Sequence, residues 1–346
     1  MAAVRLQDVA IRAGVSQATA SRVLNGSSRI PGEGVADRVR AAAAELGYVA
    51  NAQAQALARA STGLIGLIVH DIADPYFSSI AHGVQTAAHQ AGKLVLLAST
   101  QRDFDIERES VSTFISHRAD AIILAGSRQS GGLDRDLEKE CARYLDNNGK
   151  VVVIGQPLSF GAAVELENHA ASAQLAHALV GQGHRDFAVI GGPGTIRTAV
   201  DRRNGFVEAL ASRGVTPLVE IAGDFSRDGG FSAARRLAAA LDLRPGRAES
   251  SPPCVFAVTD VMAIGAIAAW RELGLSVPDD VCVAGFDDIP TLRDHVPSLS
   301  TVALSLVDIG ERAVRLALDD SATASHAHEL VPGRVILRDS SAIRCP

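Results

Sequence analysis

The chain has 346 residues, 47% of them apolar and 21% charged, enough for two or three packed domains and too apolar for a disordered one. No apolar run reaches the ~20 residues of a membrane span, and the first residues lack a signal peptide's apolar core, so a cytoplasmic protein with no membrane partner is expected. The net charge of −6 divides into +3 over residues 1–60 and −9 over the rest, a weakly basic head on an acidic body.

Leu6 to Gly26, LQDVAIRAGVSQATASRVLNG, reads as two short helices joined by a tight turn. Leu6, Val9, Ala10 and Ala13 share one face of the first, Gly14 permits the turn, and Ser16 is placed to cap the second. Ala20, Val23 and Leu24 face back toward the first helix. Gln17, Thr19, Ser21 and Arg22, with small Ala18 among them, face outward. A helix presenting amide, hydroxyl and guanidinium groups from its first turns suits the DNA major groove. A third helix is expected from about Glu33 to Leu46, ended by Gly47. Tyr48 to Gly63 is rich in Ala and Gln and too short to be a stable helix alone.

From Leu64 short apolar runs alternate with helix-length segments. LIGLIV, KLVLLAS, DAIILAG, VVVIG, FAVIGGP, CVFAVTD and VCVAGFDD read as strands, with helices over about 76–91 and 105–117 between the first three. That pattern describes parallel sheets wrapped by helices, repeated in two halves. Polar residues fall at the strand ends, where such sheets bind ligands: His70 and Asp71, Ser127 and Arg128, Gln156, Thr259 and Asp260, Asp287 and Asp288. Cys141, Cys254, Cys282 and Cys345 lack metal-ligand spacing and read as reduced thiols. GGPG at 191–194 is not G-x-G-x-x-G, no GKS or GKT follows, and no nucleophile–base pair stands out. No enzyme, metal or cofactor is expected.

Six segments together resemble the lactose-repressor (LacI/GalR) family of bacterial transcription regulators: DVAIRAGVSQATASRVLNG, ELGYVAN, IADPYF, GHRDFAVIGGP, RRNGF and VPDDVCVAGFDD, in the family's order and spacing. The resemblance implies an all-α helix-turn-helix headpiece over 1–50, a hinge helix over 51–62, and an α/β core over 63–346 similar to periplasmic sugar-binding proteins. The core would comprise two doubly wound subdomains, 63–159 with 290–322 and 160–289 with 323–346. Crossings are expected near Pro157–Ala162, Ile289–Leu292 and Asp320–Ser325.

By position in that family, Gln17 and Ala18 would read base edges. Thr19, Ser21 and Arg22 would touch base and backbone, and Ser16 and Asn25 would hold phosphates. Leu57 would wedge into the minor groove. Val35 and Ala36 replace a usual Thr-Arg pair, and Ala50 and Gln55 replace a usual Pro and Arg, which implies a less anchored hinge. The effector cleft would draw on Asp71, Tyr76, Phe77, Arg128, Gln156, Arg202, Phe225, Thr259 and Asp287, with Asp260 and His184 in structural roles. The expected protein is a homodimeric repressor of operator DNA controlled by a small molecule, a sugar first. The alternatives are a purine-responsive regulator of the same fold or a sugar-binding transport protein, the latter predicting a signal peptide and no headpiece.

Overall fold

The computed structural model describes residues 4–25, 32–49, 61–128, 135–246, 252–319, 321 and 327–343. They fall into two compact units, Met1–Leu64 with Arg118–Asp120, and Ile65–His117 with Ala121–Pro346.

In the first unit, α1 (Leu6–Ala13) begins where the Arg5 N–H donates to the Asp8 carboxylate at 2.8 Å. It ends at Gly14, whose left-handed backbone (φ 69°) a side chain would strain. α2 (Gln17–Asn25) is capped by Ser16, whose hydroxyl accepts from the Thr19 N–H at 3.1 Å. α3 (Glu33–Leu46) stops at Gly47, also left-handed. The three helices bury Val9, Ala10 and Ala13 against Ala20 and Val23, and close over Ala36, Val39, Ala42 and Ala43. A core this rich in alanine requires close helix approach, and Arg12 pairs with Glu45 at 2.7 Å across α1 and α3. Further along, one carboxylate gathers the chain ahead of the first strand. Asp120 accepts from Ser61 Oγ at 2.7 Å, from the Thr62 N–H at 2.9 Å and from the Gly63 N–H at 3.0 Å.

The second unit holds two sheets. The first is β1 (Leu64–Val69), β2 (Leu94–Ser99), β3 (Ala121–Ala125), β4 (Val151–Ile154), β5 (Ala162–Leu166) and β11 (His328–Val331), in spatial order β11-β5-β4-β3-β1-β2. The second is β6 (Phe187–Gly191), β7 (Val219–Ala222), β8 (Cys254–Ala257) and β9 (Cys282–Ala284), in order β7-β6-β8-β9. The registered pairs within both sheets are parallel, and β1, β3, β4, β8 and β9 are buried along nearly their whole length. A short antiparallel pair, β10 (Thr301–Ala303) with β12 (Arg334–Ile336), extends the second sheet through bridges from Ser300 to Ala284 and from Ala303 to Asp287. The helices are α4 (Pro75–Gln90), α5 (Phe104–Ser116), α6 (Arg135–Asp146), α7 (Asn168–Gln182), α8 (Arg197–Ala211), α9 (Arg227–Ala240), α10 (Asp260–Glu272) and α11 (Leu306–Leu318).

The crossings between lobes fall later than the sequence reading places them. β5 pairs with β4, so the chain leaves the first lobe only after Leu166. Its Ala-rich AAVEL is too short to announce a strand, yet Ala162 and Val164 are buried in the sheet. Ile289–Leu292 stays with the second lobe because the Ile289 N–H donates to Asp260 at 3.0 Å and β10 follows in the same sheet. The second crossing lies between Ala303 and Leu306, where α11 begins packing on α4. α11 and β11 flank the expected third crossing at Asp320–Ser325, and both belong to the first lobe; the chain passes over between Val331 and Arg334. β7 and β10 to β12, all three or four residues long, carry no strand signal in the sequence.

Candidate functional site

In the head, Ser16, Gln17, Ala18 and Arg22 are exposed, and Thr19 and Ser21 are half-buried. Positions 17, 18, 21 and 22 share one side of α2 at helical spacing. Ser16 and Thr19 hydroxyls are 2.9 Å apart, so both are engaged within the cap. Asn25 closes α2; its side chain and Leu57 lie outside the described residues.

In both sheets of the second unit the chain starts in the middle and winds outward both ways. β1 sits between β2 and β3, and β6 between β7 and β8. The crevice of a doubly wound sheet opens beyond the carboxyl ends at such points. A cleft lies there, lined from both lobes, at the place where such folds take small molecules. Its first-lobe wall is His70, Asp74, Tyr76, Phe77 and Arg102, and its floor includes Gly126, Ser127, Ile154, Gly155 and Leu166. The second lobe contributes Thr198, Arg202, Phe225, Thr259 and Asp287.

Arg202 organises the second-lobe wall. It is 2% exposed and donates three ways: Nε to Asn168 Oδ1 at 2.8 Å, Nη1 to the Val258 carbonyl at 2.9 Å, and Nη2 to Asp287 Oδ1 at 2.8 Å. Its guanidinium lies 3.9 Å over the Phe286 ring. Asp287 and Asp288 both have left-handed backbones, φ 121° and 56°, a strained turn that brings the Asp287 carboxylate to the guanidinium. Arg338 holds the neighbouring Asp288 at 2.7 Å. Burial pushes the Asp287 carboxyl upward and Arg202 opposes that shift. Burial, reinforced by Asp287, raises the Tyr76 hydroxyl, which stays neutral.

On the facing wall, the Tyr76 and Phe77 rings meet edge-on at 4.9 Å, and Phe77 meets His70 the same way at 5.6 Å. Burial, with Arg102 and Arg128 nearby, pushes the His70 imidazole down to about 4. Asp74 accepts from the Tyr76 N–H at 3.0 Å and so starts α4. Thr259 caps α10 by accepting from the Met262 N–H at 3.3 Å.

Three expected contacts are placed off the cavity wall. Asp71 turns back to accept from the Ala73 N–H at 2.9 Å. Arg128 is buried against Glu107 at 2.7 Å. Gln156 acts as a strut between lobes: Oε1 accepts from the Arg128 N–H at 3.1 Å and Nε2 donates to Thr198 Oγ1 at 3.0 Å. Asp260 accepts from Thr301 Oγ1 at 2.7 Å and stitches β10 to the second sheet, and His184 Nε2 meets the Ser341 carbonyl at 2.9 Å. Among lining residues, His70 and Ser127 stand out in the sequence only as strand ends. Asp74 could have been found as a cap before Pro75; Arg102 carries no signal beyond a charge in the loop after β2. No group of three or more His, Cys, Asp or Glu among the described residues could hold a metal ion, and none of their helices is long and apolar enough to cross a membrane.

Residues 5–51 match the model for bacterial regulatory proteins of the lacI family, and residues 176–341 match a periplasmic binding protein-like domain. The chain is 31% identical over 319 residues to the HTH-type transcriptional repressor CytR of Escherichia coli (strain K12), covering 92% of this chain and 89% of that protein. It belongs to the lacI family of bacterial regulatory proteins. Two solved structures place its architecture. The Lac repressor dimer bound to operator and the anti-inducer ONPF superposes with a TM-score of 0.82 at 25% identity, covering 98% of this chain and 99% of that one. The complex of the transcriptional regulator CelR with cellobiose gives 0.67 at 26%, covering 97% and 99%. As a lacI-family protein the chain is a DNA-binding transcriptional regulator, not an enzyme, with a helix-turn-helix head and a two-lobed α/β core.

Proposed function

We propose that the protein is a cytoplasmic homodimeric repressor whose hold on a near-palindromic operator is governed by a small sugar-class effector in the cleft. The observation that carries this reading is the Arg202–Asp287 fork facing a cavity walled by aromatic rings. Carboxylate and guanidinium groups suit sugar hydroxyls, and the faces of Tyr76 and Phe225 suit the C–H surface of a pyranose. Leu94, Leu96 and Leu97 are exposed on β2, an edge strand, which supports pairing with a second copy.

Gln17, Ala18 and Arg22 read bases, Ser16, Thr19, Ser21 and Asn25 position the head on phosphates and base edges, and Leu57 acts as the wedge. Effector binding shifts the balance between two arrangements of the core only by its differential affinity for them. The test incubates full-length protein with sheared genomic DNA and sequences what is retained. One near-palindromic site is expected. Leu57→Ala weakens its retention at least tenfold while thermal stabilisation by sugars is unchanged. Retention no better than bulk DNA, with or without sugars, sinks the reading.

A further inference from the structure

Four charged side chains line the cavity: Asp74, Arg102, Arg202 and Asp287. Arg202 and Asp287 close on each other at 2.8 Å. Asp74 spends an oxygen on the first turn of α4. Arg102 differs. Among the described residues it forms no ion pair. One Nη2 donates to the Phe225 carbonyl at 3.3 Å, and its guanidinium lies 5.5 Å over the Phe225 ring. A guanidinium carries five N–H donors, so most of this one's capacity is unspent in a half-buried place. Burial opposes its charge, and the nearby Asp74 and Asp71 carboxylates, neither of them paired with it, offset that only in part, so a half-buried cation here gains from a direct anionic partner.

The chain nonetheless holds it there. Gln101 and Arg102 are consecutive non-glycine residues with left-handed backbones, φ 52° and 63°, a strained loop that delivers the side chain to the cleft. A second guanidinium adds to the positive potential beside His70: Arg128 has Nε and Nη2 buried without a partner beyond its bond to Glu107. Arg102 also spans the lobes, starting in the first and touching Phe225 of the second.

We propose that the effector is an acidic sugar derivative, its carboxylate or phosphate held by Arg102 beside Phe225. This rests on the cleft being the effector site. An anion seated there neutralises the half-buried guanidinium and stands where the lobes meet, so charge recognition and closure become one event.

The test measures binding of matched pairs to the full-length protein by calorimetry: glucose against glucuronate and glucose 6-phosphate, galactose against galacturonate, ribose against ribose 5-phosphate. At least one acid binds tenfold or more tighter than its neutral parent, and the carboxylate and phosphate arms say which group is read. Arg102→Gln weakens the acid at least tenfold more than it weakens the neutral parent and so removes that preference, and Arg102→Lys retains part of it. Neutral sugars binding as tightly as their acids, or a preference that survives Arg102→Gln, overturns the proposal and leaves the regulatory reading standing. A cleft that takes neither series overturns both.

Discussion

Arg202 is where a single residue decides most in this molecule. Its three donors meet three acceptors, at the start of α7 and just beyond the ends of β8 and β9, so it fixes the cleft wall as well as presenting it. Asp287→Ala leaves that guanidinium buried without its carboxylate, and breaking a buried pair by removing one partner costs roughly 3–5 kcal/mol. The expected outcome is a urea midpoint lowered accordingly, with Asp287→Asn losing less because it can still accept the hydrogen bond. Arg202 and Asp287 were legible because each stands in a recognisable segment, RRNGF and VCVAGFDD. Their partner Asn168 was not, since nothing in NHAAS separates a cleft support from an ordinary helix start. Arg102 was hidden for a related reason: its position depends on two left-handed residues in a loop, and backbone strain leaves no periodicity.

At the level of elements, the helix pairs meet through glycines. A methyl group on Gly310 would overlap the Ile80 carbonyl, and one on Gly83 would overlap the Val307 carbonyl, so α4 and α11 cross with their backbones nearly in contact. Overpacking such a contact costs about 1–3 kcal/mol. Gly310→Ala is therefore expected to lower the denaturation midpoint, whereas Gly181→Ala on α7, which meets nothing nearby, leaves it equal or raises it by up to about 1 kcal/mol of helix propensity. Equal effects at both positions would contradict close packing as the cause. Elements carrying strong signals were readable at nearly their true bounds: α3 between Glu33 and Gly47, and β1, β3 and β4 as buried apolar runs. The short strands were not, because β5 and β10 to β12 are made strands by the sheet edges they join, which is a tertiary circumstance.

For the molecule as a whole, two buried groups set opposing responses to acid. His70 is pushed down to about 4 from its ordinary 6.5, chiefly by burial. Folding therefore favours the neutral ring, and that stability, present above pH 6.5, is lost as pH falls toward 4. Asp260 is pushed up to about 7 from 3.8, also chiefly by burial. Its contribution is full below 3.8 and is lost as pH rises toward 7. Thermal denaturation at constant ionic strength should show His70→Asn gaining on the wild type from pH 7 down to 5, and Asp260→Asn gaining from pH 5 up to 8. Parallel curves for all three proteins would refute both assignments. The three passages of the chain between lobes have a further, genetic consequence. No single cut in the coding sequence yields a whole lobe, because β11 of the first sheet is encoded after nearly all of the second. Recombination at one breakpoint among relatives can exchange the head for another's, conferring a new operator on an old sensor, but shuffling the two halves of the sensor requires several coordinated breakpoints.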